Sequence, residues 1–302
     1  MSQLGATGVR CDFGALAPLE RTTRIGGVDV REGPVDRGGL DSCPVVTTWM
    51  RADSRRAFVV AGDVRMLVTD GERVTIDAPD RQARSTYDFL IYSWALRLLL
   101  LQRGEHALHA SVVAHRSGVT LAIAGDSGAG KSTAVSELLL RGWQLVADDI
   151  APVDVSAGCN TVRPVERPVH LSAAALRRLG IDRRLARELP ERGRDGRTLK
   201  YVVRLAADLR PRTLDHLAIV GVRREGPAVQ VAHPTRSELI PTVSDLAAGS
   251  GIGLLPGLRE GLVGWASRMT RTPATVITRL NQLDTVELIT DELEHAVAVR
   301  VR

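Results

Sequence analysis

Lysine is nearly absent from this 302-residue chain: Lys131 and Lys200 are the only two among 40 basic residues, and arginine supplies the rest. Aromatic residues make up 3% of the sequence, too few to build the stacking platforms on which nucleic acid is held. The 35 acidic residues are interspersed with the basic ones, so the formal charge of +5 does not concentrate into a groove, and no nucleic-acid partner is expected. Cys11, Cys43 and Cys159 are widely spaced and form no C-x-x-C pair, which argues against a zinc site or a disulfide framework. Long apolar runs are missing too. The richest, Leu90 to Leu101, carries Arg97 and is too short to span a bilayer. The start, Met1-Ser2-Gln3-Leu4-Gly5, lacks the charged segment and apolar stretch of a secretory leader, so a soluble, cytoplasmic protein with no membrane partner is expected. Against these absences, 44% hydrophobic residues are ample for a packed core.

What is present is a phosphate-binding pattern. Gly125-Asp126-Ser127-Gly128-Ala129-Gly130-Lys131-Ser132 fits G-x-x-x-x-G-K-[ST], in which backbone N–H groups, one lysine and one hydroxyl hold the phosphates of a nucleotide. Thr133 follows directly. The apolar run Val119 to Ala124 precedes the loop as a strand, and Ser132 to Arg141 follows it as a helix, which is the order this chemistry needs. ATP or another nucleoside triphosphate is the expected ligand. Lysine at 131, in a chain that otherwise uses arginine, fits a site where a compact ammonium reaches between β- and γ-phosphates and a planar guanidinium is too wide. Lys200 is either a second phosphate contact or a stray exception to the arginine bias.

Residues 1 to about 82 alternate short β-type runs with turns: Val45 to Trp49, Ala57 to Val60, Val64 to Val68, then Val74 to Ile76 after Asp70-Gly71. A small, mainly antiparallel region is expected there, serving as a structural cap or a docking surface. From Ser85 the spacing becomes helical, with Ser85 or Thr86 as N-cap and an end near Gly104. Ala107 to Ala114 and Val119 to Ala124 read as a hairpin feeding the loop, an arrangement unlike an ordinary doubly wound NTPase. After Gly142, a C′ glycine, Trp143 to Ala147 forms a strand ending in Asp148-Asp149, a pair suited to a metal site. Residues 151 to 215, rich in proline and arginine, read as a mobile basic lid rather than a core element. Strands at 217–222, 229–232 and 275–278, with helices near 237–248, 258–269 and 284–297, complete an α/β sheet over residues 83–302.

The block from His109 to Asp149 resembles the catalytic domain of HPr kinase/phosphorylase and its P-loop relatives. The shared pattern is Leu108-His109-Ala110-Ser111, a hairpin, the loop 125–132, Arg141-Gly142, and Leu145-Val146-Ala147-Asp148-Asp149. That resemblance implies an HPr-kinase-like (PEP-carboxykinase-like) α/β fold. It also implies a Mg²⁺-dependent kinase in which Lys131 and the loop amides hold the phosphates, Ser132 and Asp149 hold Mg²⁺, Asp148 takes the proton of an acceptor hydroxyl, and His109 sits near the reacting phosphoryl group. On its own, His109 reads as a packed strand histidine, and its position beside the loop tips the reading toward function. Arg163, Arg167, Arg197 and Lys200 would neutralise the transferring group from the lid. The Glu-Ile-Arg-Gly-Leu-Gly-like second signature of the family is missing, and the first eighty residues do not resemble its regulatory domain. The expected acceptor is therefore a hydroxyl other than HPr: Ser or Thr of a peptide or small protein, or a small hydroxy compound such as a free amino acid. A nucleotide-switched binding module without transfer is the competing expectation. Authentic family enzymes are hexameric, and a homo-oligomer is one assembly the resemblance allows.

Overall fold

The computed structural model describes residues 2–4, 10–12, 22–25, 28–36, 43–78, 90–126, 128–156, 158–165, 168–188, 200–203, 205, 210–249, 251, 259–280 and 285–298. It is a mixed α/β structure whose internal contacts divide it into two units, one of residues 1–16, 108–246 and 266–302, the other of 17–107 and 247–265.

The first unit is built on a six-stranded sheet in the order Gln144–Ala147, Ala110–Ala114, Thr120–Gly125, His216–Arg223, Ala274–Leu280, Val229–Ala232. Every residue of Ala110–Ala114 and of Thr120–Gly125 is buried, which is why these strands read as continuous apolar runs rather than alternating ones. They pair antiparallel, Ala110 opposite Ala124, as the expected hairpin. Thr120–Gly125 then pairs parallel with His216–Arg223, and that strand pairs parallel with Ala274–Leu280. Helix Lys131–Leu140 buries Ala134, Val135 and Leu138, and helix Thr285–Ala298 buries Ile289, Leu293 and Val297, spaced by four as one helical face requires. All six side chains belong to one cluster with Leu121, Ile123, Val220 and Ile277. A leucine or isoleucine taken fully out of water there contributes about 1.5–3 kcal/mol.

The stretch expected to be a mobile basic lid is largely something else. Val169–Ser172 pairs antiparallel with Lys200–Val203, which pairs with Arg187–Glu188. Val169, Leu171, Leu176, Leu179, Ile181, Tyr201 and Val203 are buried in the same core cluster. Ala151–Asp154, Thr161–Val162 and Arg212–Thr213 form further antiparallel ladders. Arginine and proline content pointed to a loop, but Val169 and Leu171 alternate with half-buried His170 and Ser172, and Tyr201, Val202 and Val203 are all buried, so these segments are strands packed into the core. Residues 189–199, which include Arg197, lie outside the described residues, as does Arg167.

The second unit carries a seven-stranded sheet in the order Thr22–Ile25, Val28–Glu32, Arg73–Asp77, Val64–Thr69, Arg56–Ala61, Met50–Ala52, Val45–Thr47. Its pairings are antiparallel except Val28–Glu32 with Arg73–Asp77. Val64, Met66 and Val68 are fully buried while their strand neighbours are not, the alternation of a sheet with one apolar face. Asp70 and Gly71 both have positive φ in the three-residue turn that joins these strands, where Thr69 pairs with Arg73 and the Glu72 N–H donates to Thr69 O at 3.0 Å. The helix ending this part is an α-helix over Leu96–Gln102, preceded by a wider turn at Leu90–Ala95, and Gln102 Nε2 donates to Val68 O at 3.1 Å. The expected N-caps Ser85 and Thr86 fall outside the described residues. Among the described residues no helix is long and apolar enough to cross a membrane.

Candidate functional site

Strand directions bring the sequence candidates to one end of the six-stranded sheet. Because Ala110 lies opposite Ala124, His109 stands one step beyond, level with Gly125 at the start of the phosphate loop. Gln144–Ala147 runs antiparallel to Ala110–Ala114 on the other side, with Val112 opposite Ala147 and Val113 opposite Leu145, so a bulge at Val146 closes the strand just before the acidic pair. A bulge of this kind bends the strand and re-aims the side chains that follow it.

The loop itself is shaped by its glycines. Gly125 has φ of 139°, and a Cβ there would lie 2.0 Å from the carbonyl oxygen of Val220 on the neighbouring parallel strand, so only glycine fits. Gly128 and Gly130 are left-handed, with φ of 89° and 102°. Gly130 caps helix Lys131–Leu140 and its carbonyl accepts from the N–H groups of Thr133 and Ala134, so the first turn presents its N-terminal dipole at the loop. Lys131 Nζ donates to Gly125 O at 2.6 Å and Asp126 O at 2.9 Å, which tethers the ammonium at the head of the loop. Asp126 and Gly128 are exposed, Ala129 is buried, and Ser132 and Thr133 are half-buried in the first helical turn. Ser127 lies outside the described residues.

The acidic pair is held by the histidine strand. Ser111 Oγ donates to Asp148 Oδ1 at 2.6 Å, and Ser111 is buried. His109 Nε2 lies 2.9 Å from Asp149 Oδ1, with the imidazole 45% exposed and the carboxylate 26%. His109 does not open a strand directly: it occupies the single-residue break between Ala107–Leu108 and Ala110–Ala114, and its own N–H donates to Leu246 O at 2.7 Å. Asp149 has φ of 63°, rare outside glycine, and is the centre of a three-residue turn closed by Ile150 N–H to Asp148 O at 2.7 Å. Such backbone costs about 1–3 kcal/mol and persists where surrounding structure over-determines it, commonly at functional sites.

Compared with known proteins, the chain matches no family model and no curated protein. Among solved structures it is similar to the HPr(Ser) kinase/phosphatase from Coxiella burnetii, at 11% identity and a TM-score of 0.32, over 65% of this chain and 92% of that one. A likeness of that size fixes neither the fold nor an activity.

The backbone of Lys200 is described, but its side chain is not. Lys200 starts the strand Lys200–Val203, opposite Ser172. Arg163 is exposed. One residue absent from the sequence candidates does reach the loop. Arg279 is 7% exposed, and its Nε donates to Ala129 O at 3.1 Å and its Nη2 to Gly128 O at 3.3 Å. Its only sequence signal is a charge at a buried position of an alternating strand, where Thr275 and Ile277 are the other members.

The donor set fits a Mg²⁺-bound triphosphate chemically. A left-handed glycine loop at a helix N-terminus and an ammonium suit phosphate oxygens, while a hydroxyl and strand-end carboxylates are the hard oxygen ligands that Mg²⁺ takes alongside phosphate and water.

Proposed function

We propose that this protein is a Mg²⁺-dependent kinase that moves the γ-phosphoryl group of ATP, or another nucleoside triphosphate, to a hydroxyl acceptor, Ser or Thr of a peptide or small protein. The observation that carries this reading is the meeting at one sheet end of the loop strand, the histidine strand and the acidic strand, with Ser111 bonded to Asp148 and His109 to Asp149. Phosphoryl transfer demands positioning and charge stabilisation more than covalent help, and this set of groups offers both.

In this reading the loop N–H groups and Lys131 bind the phosphates, and Ser132 and Asp149 hold Mg²⁺. The metal, when bound, supplies positive charge against the phosphate oxygens. Asp148 accepts the proton of the acceptor hydroxyl as its oxygen forms the new bond to the γ-phosphorus and the bond from that phosphorus to the bridging oxygen of the diphosphate breaks. Ser111 holds the Asp148 carboxylate, and His109 orients Asp149.

The test is incubation of the full chain with γ-labelled ATP, Mg²⁺ and candidate peptides or hydroxy amino acids, with the product located by mass spectrometry. Phosphate should appear on a hydroxyl, and Lys131→Ala or Asp148→Asn should lower transfer by about a hundredfold or more while leaving the fold intact. Full activity in either variant would overturn the assignment. Nucleotide binding with no phosphorylated product would instead identify a nucleotide-switched binding module.

A further inference from the structure

We infer that Arg279 is the positioning residue of the phosphate loop, its guanidinium gripping two successive loop carbonyls so that the next N–H faces a bound triphosphate. The inference rests on the nucleotide-binding reading above and adds to it a residue some 150 positions from the loop.

Arg279 lies on the buried face of Ala274–Leu280, following Thr275 at 1% and Ile277 at 0% exposure, in a place where an apolar side chain would satisfy the core. A charge there breaks the local pattern, and such breaks concentrate at functional positions. Burial costs the guanidinium solvation and draws its pKa downward, yet an arginine stays charged at neutral pH. Three carbonyls compensate: Ala129 O, Gly128 O, and Leu280 O at 2.9 Å from Nη1.

Peptide planarity turns those contacts into an aiming device. A carbonyl and the following N–H point in opposite directions across one rigid plane. Holding Gly128 O therefore sets the N–H of Ala129, which closes a turn onto Asp126 O at 3.2 Å. Holding Ala129 O sets the N–H of Gly130 away from the guanidinium, toward the side where an anion is received. Gly130 suits this approach, since its φ of 102° favours glycine and a Cβ there would stand 3.3 Å from Arg279 Nε, a tight contact. The two-pronged grip needs a planar fork. A lysine ammonium delivers the same charge without fixing two carbonyl directions.

The experiment uses the full chain and titrates it calorimetrically with Mg·ATP and with inorganic triphosphate, alongside Arg279→Lys, Arg279→Gln and the control Lys131→Ala. Both Arg279 variants should lose roughly tenfold to a hundredfold in affinity for both ligands, the scale of a 1 Å misplacement. The melting midpoint of each ligand-free variant should stay within about 4 °C of wild type. Wild-type affinity in both variants, with Lys131→Ala impaired, would overturn the role of Arg279 and leave the kinase reading standing. Collapse of the ligand-free melting midpoint in both would make Arg279 a structural prop and overturn the inference equally. No binding by the wild-type chain would remove the nucleotide reading and this inference with it.

Discussion

Ser111 donates a 2.6 Å hydrogen bond to Asp148 from a buried position, so the carboxylate is held at a fixed place at the strand end. Removing that hydroxyl leaves the loop and Lys131 untouched but frees the Asp148 carboxylate, which is proposed to take the acceptor's proton. Ser111→Ala is therefore expected to lower kcat by about tenfold or more, the usual scale for losing an orienting hydrogen bond, with the KM for ATP unchanged. Ser111→Thr, which keeps the hydroxyl, should restore most of it. Steady-state kinetics on both variants check this, and a rise in the KM for ATP with constant kcat would contradict it. At this scale the sequence was informative where chemistry is local. Gly125, Lys131 and Asp148-Asp149 announce themselves by type and spacing. Arg279 did not, because its meaning depends on a parallel ladder linking Val220 to Gly125 on one side and to Ile277 on the other, and no local pattern encodes that pairing.

Helix Lys131–Leu140 shows how an element end becomes legible. Gly142 sits in the left-handed region at φ of 91°, its N–H donates to Leu139 O and the N–H of Trp143 donates to Leu138 O, the double closure that a C′ glycine permits. A Cβ at Gly142 meets nothing within 4 Å, so the cost of adding one is conformational alone. Gly142→Ala should destabilise the chain by about 1–2 kcal/mol in urea unfolding, with asparagine at the same position costing less. An unchanged midpoint in the alanine variant would show that the helix end can relax. Helix Arg236–Asp245, expected over 237–248, starts within one residue of that expectation, where Thr235 and Glu238 form a capping box, and ends three residues short of it. The strands within 151–215 were not legible in this way. Their arginines and prolines outweigh, in composition, the few apolar residues that are buried, and it is burial that makes them strands.

On the scale of the whole molecule, each unit is assembled from separated stretches, the second from 17–107 and 247–265, so neither is a single continuous segment of chain. Stability of the second unit includes a charged brace on its sheet. Asp53 Oδ1 accepts from the N–H groups of Arg55 at 2.8 Å and Arg56 at 2.7 Å, and Oδ2 lies 3.2 Å from both the Cys43 thiol and Arg56 Nη2. Burial pushes the Asp53 carboxyl upward, but these hydrogen bonds outweigh it and hold the pKa below the ordinary carboxylate range. A depressed pKa in the folded state means that the unfolded chain binds the proton first as pH falls. The stabilisation is thus complete above the ordinary carboxylate value and is lost as pH drops through the depressed one. Asp53→Asn removes the charge at every pH. Wild type should therefore melt above the variant at pH values above the ordinary carboxylate value of 3.8, and the gap should close progressively as pH falls below it. Thermal unfolding of the two proteins across that range tests it, and a gap that stays constant with pH would show that the Asp53 charge contributes nothing to the fold.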